Sequence, residues 1–421
     1  MNNLWEATAA PPPESEPLAG SLSADVAVIG AGFTGCAAAL RLAQASTDVC
    51  VIEAEDIGYG ASGRNVGLVN AGLWVEPQMI EAELGQENGK RLNDMLIQAP
   101  DIVFDLIEKH SIPCEPIRTG TLYCAHARRG FRRLERRAAQ LIAGGAPVKL
   151  LSPDEAREKT GSDALHGALL DPRAGTIQPL SYVRGLAKAA SKAGAKLYTR
   201  SRVNALTHDG QQWRVATSQG SISAKSVIVA TNAYTASLDS ATMPSFVTIH
   251  YCQFATAPLG RDLAHTILPE RQGAWDTAMV MSSFRMDNHD RLIVGGIGRL
   301  DGPSARAHAA WAGRKLKSLF PAVQAKHFEF GWSGRIAITA DRLPKIARIG
   351  PGALMVHGYN GRGIGPGTIF GASLADYILS GDESVLPLPV LNRHSESFRL
   401  LKSCFYEVGA TAVHLISDWG R

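Results

Sequence analysis

Between Asp25 and Glu53 the chain carries the feature that most restricts its fold: an apolar strand, a glycine turn, a helix and a second apolar strand ending on an acid. Asp25-Val-Ala-Val-Ile-Gly30-Ala-Gly32-Phe33-Thr34-Gly35 runs a strand straight into the spacing GxGxxG. Phe33 to Ala45 reads as a helix with Ala37, Ala38, Leu40 and Leu42 on its apolar side, and Val49-Cys-Val-Ile52 leads into Glu53. A lone GxGxxG is often a bare turn. The whole unit is what a dinucleotide requires, because Gly30 makes the tight turn, Gly32 lets backbone N–H groups approach a pyrophosphate, and Gly35 lets helix and strand pack closely. The helix N-terminus adds partial positive charge beneath the phosphates. Glu53 is placed to accept hydrogen bonds from a ribose diol, and an acid there would repel the extra phosphate of NADP.

Two further glycine-rich loops frame this unit. One runs Gly58-Tyr-Gly60-Ala-Ser62-Gly63-Arg64-Asn65-Val66-Gly67-Leu68 and could wrap the same pyrophosphate. The other, Gly358-Tyr-Asn360-Gly361-Arg362-Gly363-Ile364-Gly365, feeds a helix-like stretch (Ile369 to Leu379) closed by Ser380-Gly381. A loop at a helix N-terminus suits partial negative charge on a reduced flavin ring. Either loop alone is more often a surface turn; together they suggest a flavin dinucleotide held along its length.

These residues carry a family resemblance. DVAVIGAGFTGCAAALRLA, GYGASGRNVGLVNAG, SVIVATNAY, WSGRIAITADRLPKI and HGYNGRGIGPGT occur in this order, and the chain resembles the D-amino-acid-oxidase-like flavoenzymes, closest to bacterial L-pipecolate and γ-glutamylputrescine oxidases. The resemblance implies an α/β fold: a Rossmann-type FAD-binding domain intertwined with an antiparallel-sheet substrate domain. The FAD domain would collect residues 20–80, 150–240 and 330–421, the substrate domain 81–149 and 241–329, after a Pro-rich arm at 1–19. Cofactor contacts would come from Gly30, Gly32, Phe33, Thr34, Gly35, Glu53, Ala54, Gly60, Ser62, Arg64, Asn65, Val66, Gly67 and Leu68. Val203 in a short strand, Ala230, Thr231 and Asn232, Trp332 and Gly334, and Gly358, Asn360, Gly361, Arg362, Gly363 and Ile364 would complete the set. Trp332 and Trp275 equally fit core aromatics.

The remaining chain narrows the class. Charged residues are 19% and apolar residues 45%, values of a globular protein. No stretch reaches the length of a membrane span, the first twenty residues lack a secretory signal, and a net charge of +4 lacks the basic footprint of a nucleic-acid protein. A cytoplasmic protein is expected. The six cysteines show no CxxC pair or metal spacing and read as core residues, and no metal site is expected. Ser152-Pro-Asp-Glu155 is a capping box. Arg128 to Arg137 sets arginines at four-residue spacing, a solvated helix face or an anion-binding one. The Pro-rich arm reads as a tail packed down by Leu4 and Trp5.

Flavin oxidation of an amine asks for orientation and charge rather than a triad. Arginine holds a carboxylate by two parallel bonds. Arg285, after the strand-like Val280 to Phe284, and Arg362, in the loop Gly361-Arg362-Gly363, are the candidate clamps. Tyr251 and Gln253, two apart on one strand face, would orient the amine. His250 and His357 are candidate bases by residue type alone and, with no partner visible in the sequence, read as structural. Sarcosine-oxidase relatives attach FAD through a cysteine in the segment matching 334–340, and none occurs here, so FAD is expected to bind non-covalently. They also use a lysine over the flavin for oxygen, and none occurs between Thr248 and Arg314. The acceptor is O2 or a quinone. The expected substrate is a small amine bearing an anionic group, a secondary or cyclic amino acid such as L-pipecolate. A γ-glutamylated polyamine, an N-alkyl glycine, an aminophosphonate, or a non-catalytic flavin-bearing subunit are the alternatives.

Overall fold

The computed structural model describes residues 2–235, 243–324 and 327–416. Its N-terminal arm begins with a short helix, α1 (Leu4–Thr8), capped by the Asn3 side chain, and both Leu4 and Trp5 are fully buried. Strand β1 (Gly20–Ile29), helix α2 (Phe33–Gln44) and strand β2 (Val49–Ile52) follow in the order the glycine motif predicts. β1 sits inside a nine-stranded sheet, parallel to β2 on one side and to Gly220–Val229 on the other. Lys196–Tyr198 extends the sheet past β2, and Ala353–His357, Lys345–Gly350 and Val390–Leu391 extend it the other way. Parallel strands are covered on both faces, which is why they read as unbroken Val and Ile runs. A Cβ at Gly35 would lie 1.9 Å from the carbonyl oxygen of Gly30, so α2 can close on the turn only with glycine there.

The second sheet has eight strands. Helix α3 (Arg128–Ala143) covers one end of it. β3 (Val247–Ala255), β4 (Ser282–Met286), β5 (Leu292–Ile297) and β6 (Phe330–Ile338) run in the spatial order β6-β3-β5-β4. Gly273–Asp276, Thr121–Cys124, Ala168–Asp171 and Lys149–Leu151 complete it. Phe254 and Phe284 on this sheet bury Trp311 and Leu316 of a covering helix, Ala305–Leu319.

Sheet membership differs from the segment boundaries expected from sequence. β6 pairs with β3 along its whole length, from Val247–Ile338 to Ala255–Phe330, and Leu150, Leu151 and Ala168–Asp171 also join the second sheet, through Thr121–Cys124. Conversely, Leu92, Leu96, Val103 and Phe104 bury with Leu42 and Phe370 in the core of the first sheet. The expected boundary at 240–241 lies outside the described residues. Val203 lies in no strand; it sits in the connection after Lys196–Tyr198, where Ser201 N–H donates to the Glu53 carbonyl.

Two late helices frame the cavity between the sheets. α4 (Ile364–Ser380) begins five residues earlier than the apolar pattern suggests and ends on Gly381 in the left-handed conformation. α5 (Arg399–Ile416) packs across β3 and the Ala305–Leu319 helix. Its His414 ring stacks on Trp311 with centroids 3.9 Å apart, and its Nδ1 lies 2.8 Å from His308 Nδ1.

Candidate active site

A cavity of about 990 Å³ lies between the sheets, at the upper end of the range of about 300–1,000 Å³ usual for ligand pockets. One end is made of backbone. Gly30, Gly32, Phe33 and Thr34 line it with Glu53, Ala54 and Val203. Glu53 accepts a 2.7 Å hydrogen bond from Ala31 N–H, which locks the turn to β2. Burial raises the Glu53 carboxyl above its ordinary range, against the lowering effect of the backbone N–H groups it accepts from.

Ser62 joins the first two glycine loops. Its Oγ accepts from Phe33 N–H at 3.0 Å, and a Cβ at Gly32 would sit 2.8 Å from that oxygen. This cradle is therefore one that a side chain would fill, as a bound dinucleotide requires. Gly60, Ser62, Arg64, Asn65, Val66 and Leu68 line the same wall. The arm holds this loop from beneath. Trp5 Nε1 donates to the Asn65 carbonyl at 2.8 Å, and Asn3 Nδ2 donates to the Gly63 carbonyl at 3.0 Å.

Ala230, Thr231, Asn232 and Gly334 line the middle of the cavity, and Asn360, Gly361, Arg362, Gly363 and Ile364 bring the N-terminus of α4 to it. The Asn232 side chain accepts from Gly358 N–H at 3.0 Å, which ties the third glycine loop to the first sheet. The positive end of α4 thus faces the cavity, a placement suited to holding negative charge on a bound group.

The far end is made of side chains. Arg362 is buried, with Nη1 donating to the carbonyls of Ala71, Gly72 and Leu73 at 3.1 to 3.3 Å. Its guanidinium lies 4.2 Å from the Trp74 ring and 5.4 Å from that of Trp275, and its buried Nε has no partner. Burial, then the nearby Arg137, pulls its pKa down to about 9, so it remains charged at neutral pH. Arg137 donates to the Trp74 and Leu73 carbonyls, both at 3.0 Å. Among the described residues neither arginine has a carboxylate within ion-pair distance.

Tyr251 and Gln253 both line the cavity from β3, as their spacing predicts. The Tyr251 hydroxyl donates to the Gly295 carbonyl and lies 3.0 Å from Ser283 Oγ. Burial pushes the phenol well above its ordinary range. Gln253 is fully buried, and neither its amide oxygen nor its nitrogen finds a partner in the protein. Buried amides left this way are costly unless a ligand or water meets them.

Arg285 is not brought to this cavity. It projects from β4 into the interior, fully buried, and donates to the carbonyls of Ile177 at 2.7 Å and of Val66 and Gly67 at 3.3 Å. The Trp5 ring packs 5.6 Å from its guanidinium. Its Nη1 bonds make Arg285 a brace for the second glycine loop, with its Nη2 left without a partner in the protein. Trp332 likewise lies off the cavity, donating to the Arg64 carbonyl at 3.1 Å. Gly35, Gly67 and Gly358 serve packing and turns rather than the wall; Gly67 and Gly358 both have positive φ. His250 pairs with Glu407 and His357 with His394, both away from the wall.

Among the residues that sequence reasoning missed are Trp74, Tyr123 and Arg133, all on the wall. Only Arg133 and Arg137 had a signal, the arginine periodicity of α3. That helix is not a purely solvated face.

A family model described as FAD dependent oxidoreductase (DAO) matches residues 25–377. The chain is 30% identical over 371 residues to γ-glutamylputrescine oxidoreductase of Escherichia coli (strain K12), covering 86% of this chain and 85% of that protein. It is 24% identical over 331 residues to glycine oxidase of Geobacillus kaustophilus, covering 76% and 83%. The crystal structure of glycine oxidase from Geobacillus kaustophilus aligns with a TM-score of 0.70 at 22% identity, covering 86% of this chain and 96% of that one. L-proline dehydrogenase from P. horikoshii aligns with a TM-score of 0.69, also at 22% identity, covering 88% and 96%. These structures share the fold.

Proposed function

The chain belongs to the DAO family of FAD-dependent oxidoreductases, and on that premise we propose that it oxidises the C–N bond of a small amine bearing an anionic group. A secondary or cyclic amino acid such as L-pipecolate fits first, with an imine as product. Bound FAD supplies the hydride acceptor, its N5 atom, leaving the protein to bind, orient and exclude water.

Arg362 is the observation that carries this reading. A guanidinium buried without a counter-ion is expensive, and an incoming carboxylate relieves that cost with two directed bonds. The Trp74 and Trp275 faces hold the guanidinium plane in place. Gln253, unpartnered and facing the cavity, is the group to accept an amine N–H, and Tyr251, locked by Gly295 and Ser283, shapes the wall beside it.

No lysine, histidine or cysteine lines the cavity among the described residues. Glu53 and Glu55 lie at the dinucleotide end. Asp276 is consumed by Lys315, the Ser282 hydroxyl and the N–H groups of Ala278 and Ser282. With no base beside the amine, the substrate enters as the free amine. The limiting kcat/KM should therefore rise about tenfold per pH unit below the substrate's own amine pKa. The same absence supports non-covalent FAD: acid precipitation should release all flavin, and colour left in the pellet would contradict this.

Either O2 or a quinone would take the electrons. A second reading, a γ-glutamylated polyamine as substrate, is favoured by the 30% identity to γ-glutamylputrescine oxidoreductase. Anaerobic mixing of the yellow protein with secondary amino acids, γ-glutamyl amines and aminophosphonates tests both. Bleaching by the first class supports the lead reading, and bleaching by γ-glutamyl amines alone transfers it to the second. No bleaching by any anionic amine would sink the proposal.

A further inference from the structure

The outward side of α5 is an apolar stripe that no other element covers among the described residues. Leu401, Cys404, Phe405, Val408, Ala412 and Leu415, spaced three and four apart, are all exposed, and no charge interrupts them. Leu401 is 70% exposed, Phe405 73% and Val408 65%; Phe398 and Leu400, just before them, are 77% and 79% exposed. Isolated exposed apolar residues are ordinary, whereas a contiguous row on one helix marks a surface that meets something.

The inward side of the same helix is firmly held, through the His414 stack on Trp311, the Arg314 bond to the His414 carbonyl and the bond between Thr248 N–H and Ser403 Oγ. The stripe therefore presents a fixed face. Its rim is basic. Arg393 is exposed shortly before the helix and Arg399 at its start, partly exposed Lys402 pairs with Glu396, and exposed Arg342 reaches the Tyr406 hydroxyl beside the stripe. The nearest acids, Glu396 and Glu407, are turned inward, at 7% and 26% side-chain exposure. No helix among the described residues is long and apolar enough to cross a membrane. An apolar stripe with a cationic rim, on a helix that does not span, is the pattern of one lying flat in a lipid headgroup layer.

The patch is also continuous with the cavity. Phe405 and Met279, the latter 85% exposed, both line it. We propose that the outer face of α5 docks on an anionic lipid bilayer, seating Phe398, Leu400 and the stripe at the boundary between headgroups and acyl chains and turning the cavity mouth toward the membrane. Charge complementarity between the arginine rim and anionic headgroups selects this occupant over an apolar protein surface.

The test is flotation of the full-length, flavin-loaded protein with vesicles of phosphatidylglycerol and phosphatidylcholine, beside vesicles of phosphatidylcholine alone. The double variant Leu401→Ser/Val408→Ser changes two exposed side chains that lie off the cavity. The wild type should float with the anionic vesicles, more than tenfold less with neutral ones or in high salt. The variant should lose more than tenfold in vesicle binding while its flavin spectrum and turnover with a soluble dye acceptor stay unchanged. A wild type that stays at the bottom with anionic vesicles overturns the proposal, as does a variant that floats equally well. A stripe-dependent dimer that ignores vesicles overturns it too, and gives the face to a second copy of the chain.

Discussion

The two ends of the cavity are built from different materials. At the dinucleotide end the wall is backbone and glycine: Gly30, Gly32 and Gly60, with Ser62 and Glu53 tying N–H groups in place. At the other end it is large side chains: Arg362 against the edge-to-face pair Trp74 and Trp275, with Tyr251 and Gln253 on the same wall. A backbone cradle is specified by spacing over a few residues. A side-chain wall is specified by what long-range packing leaves uncovered.

The largest effect should come from filling the backbone cradle. Gly32→Val places a branched side chain where even a Cβ meets Ser62 Oγ at 2.8 Å, so the protein should be recovered without flavin or not at all. Normal, stoichiometric yellow protein would break the comparison at its first member. Next is Trp5→Ala, which removes the brace beneath Asn65. Truncating a buried tryptophan costs about 3–5 kcal/mol, and thermal melts with flavin fluorescence should show lower stability and earlier flavin release together.

Arg285→Ala separates a structural brace from a substrate clamp. It leaves the carbonyl of Ile177 without its donor in a dry interior, a cost on the order of 1–3 kcal/mol. Substrate with a free acid and its amide analogue should lose turnover equally. A selective loss for the acid would return the clamp to Arg285.

Why that arginine misled is instructive. Ser283 and Arg285 are two apart on β4, so the strand period puts them on the same side, and Ser283 does line the cavity. The wall simply ends before Arg285, because Trp5, from the opposite end of the sequence, and Ile177 cover that stretch. Nothing local encodes this. Sheet membership follows the same rule: Trp332-Ser-Gly334-Arg335 falls in the segment expected for the FAD domain, yet it is paired residue for residue with β3 in the second sheet. By contrast β1, α2, β2 and the Ser152 capping box were legible, since each is decided by neighbours within a few residues. Trp74 carried no signal, because only the fold sets it over Arg362.

The smallest effect is one of pH. His357 and His414 are held down to about 3, in both cases chiefly by burial and then by a neighbouring histidine, His394 and His308 respectively. Their folded pKa values lie below the unfolded value of 6.5, so the unfolded chain binds more protons in between. Stability is full above pH 6.5 and falls as pH drops toward 3. One unit below 6.5 the loss is about 1.4 kcal/mol per imidazole. Melting temperatures at pH 8 and 5.5 check this, and His414→Phe should flatten part of the slope.

On the proposed reading, Arg362 holds the anionic group of the substrate. This claim is tested most directly by anaerobic flavin reduction with a cyclic amino acid and with its carboxamide, each in wild type and in Arg362→Ala. A charge-assisted hydrogen bond is worth about 1.5–3 kcal/mol. The acid should therefore lose on the order of tenfold to a few hundredfold in kcat/KM on mutation, the carboxamide far less, and the flavin spectrum should not change. Equal losses for acid and carboxamide would contradict the account.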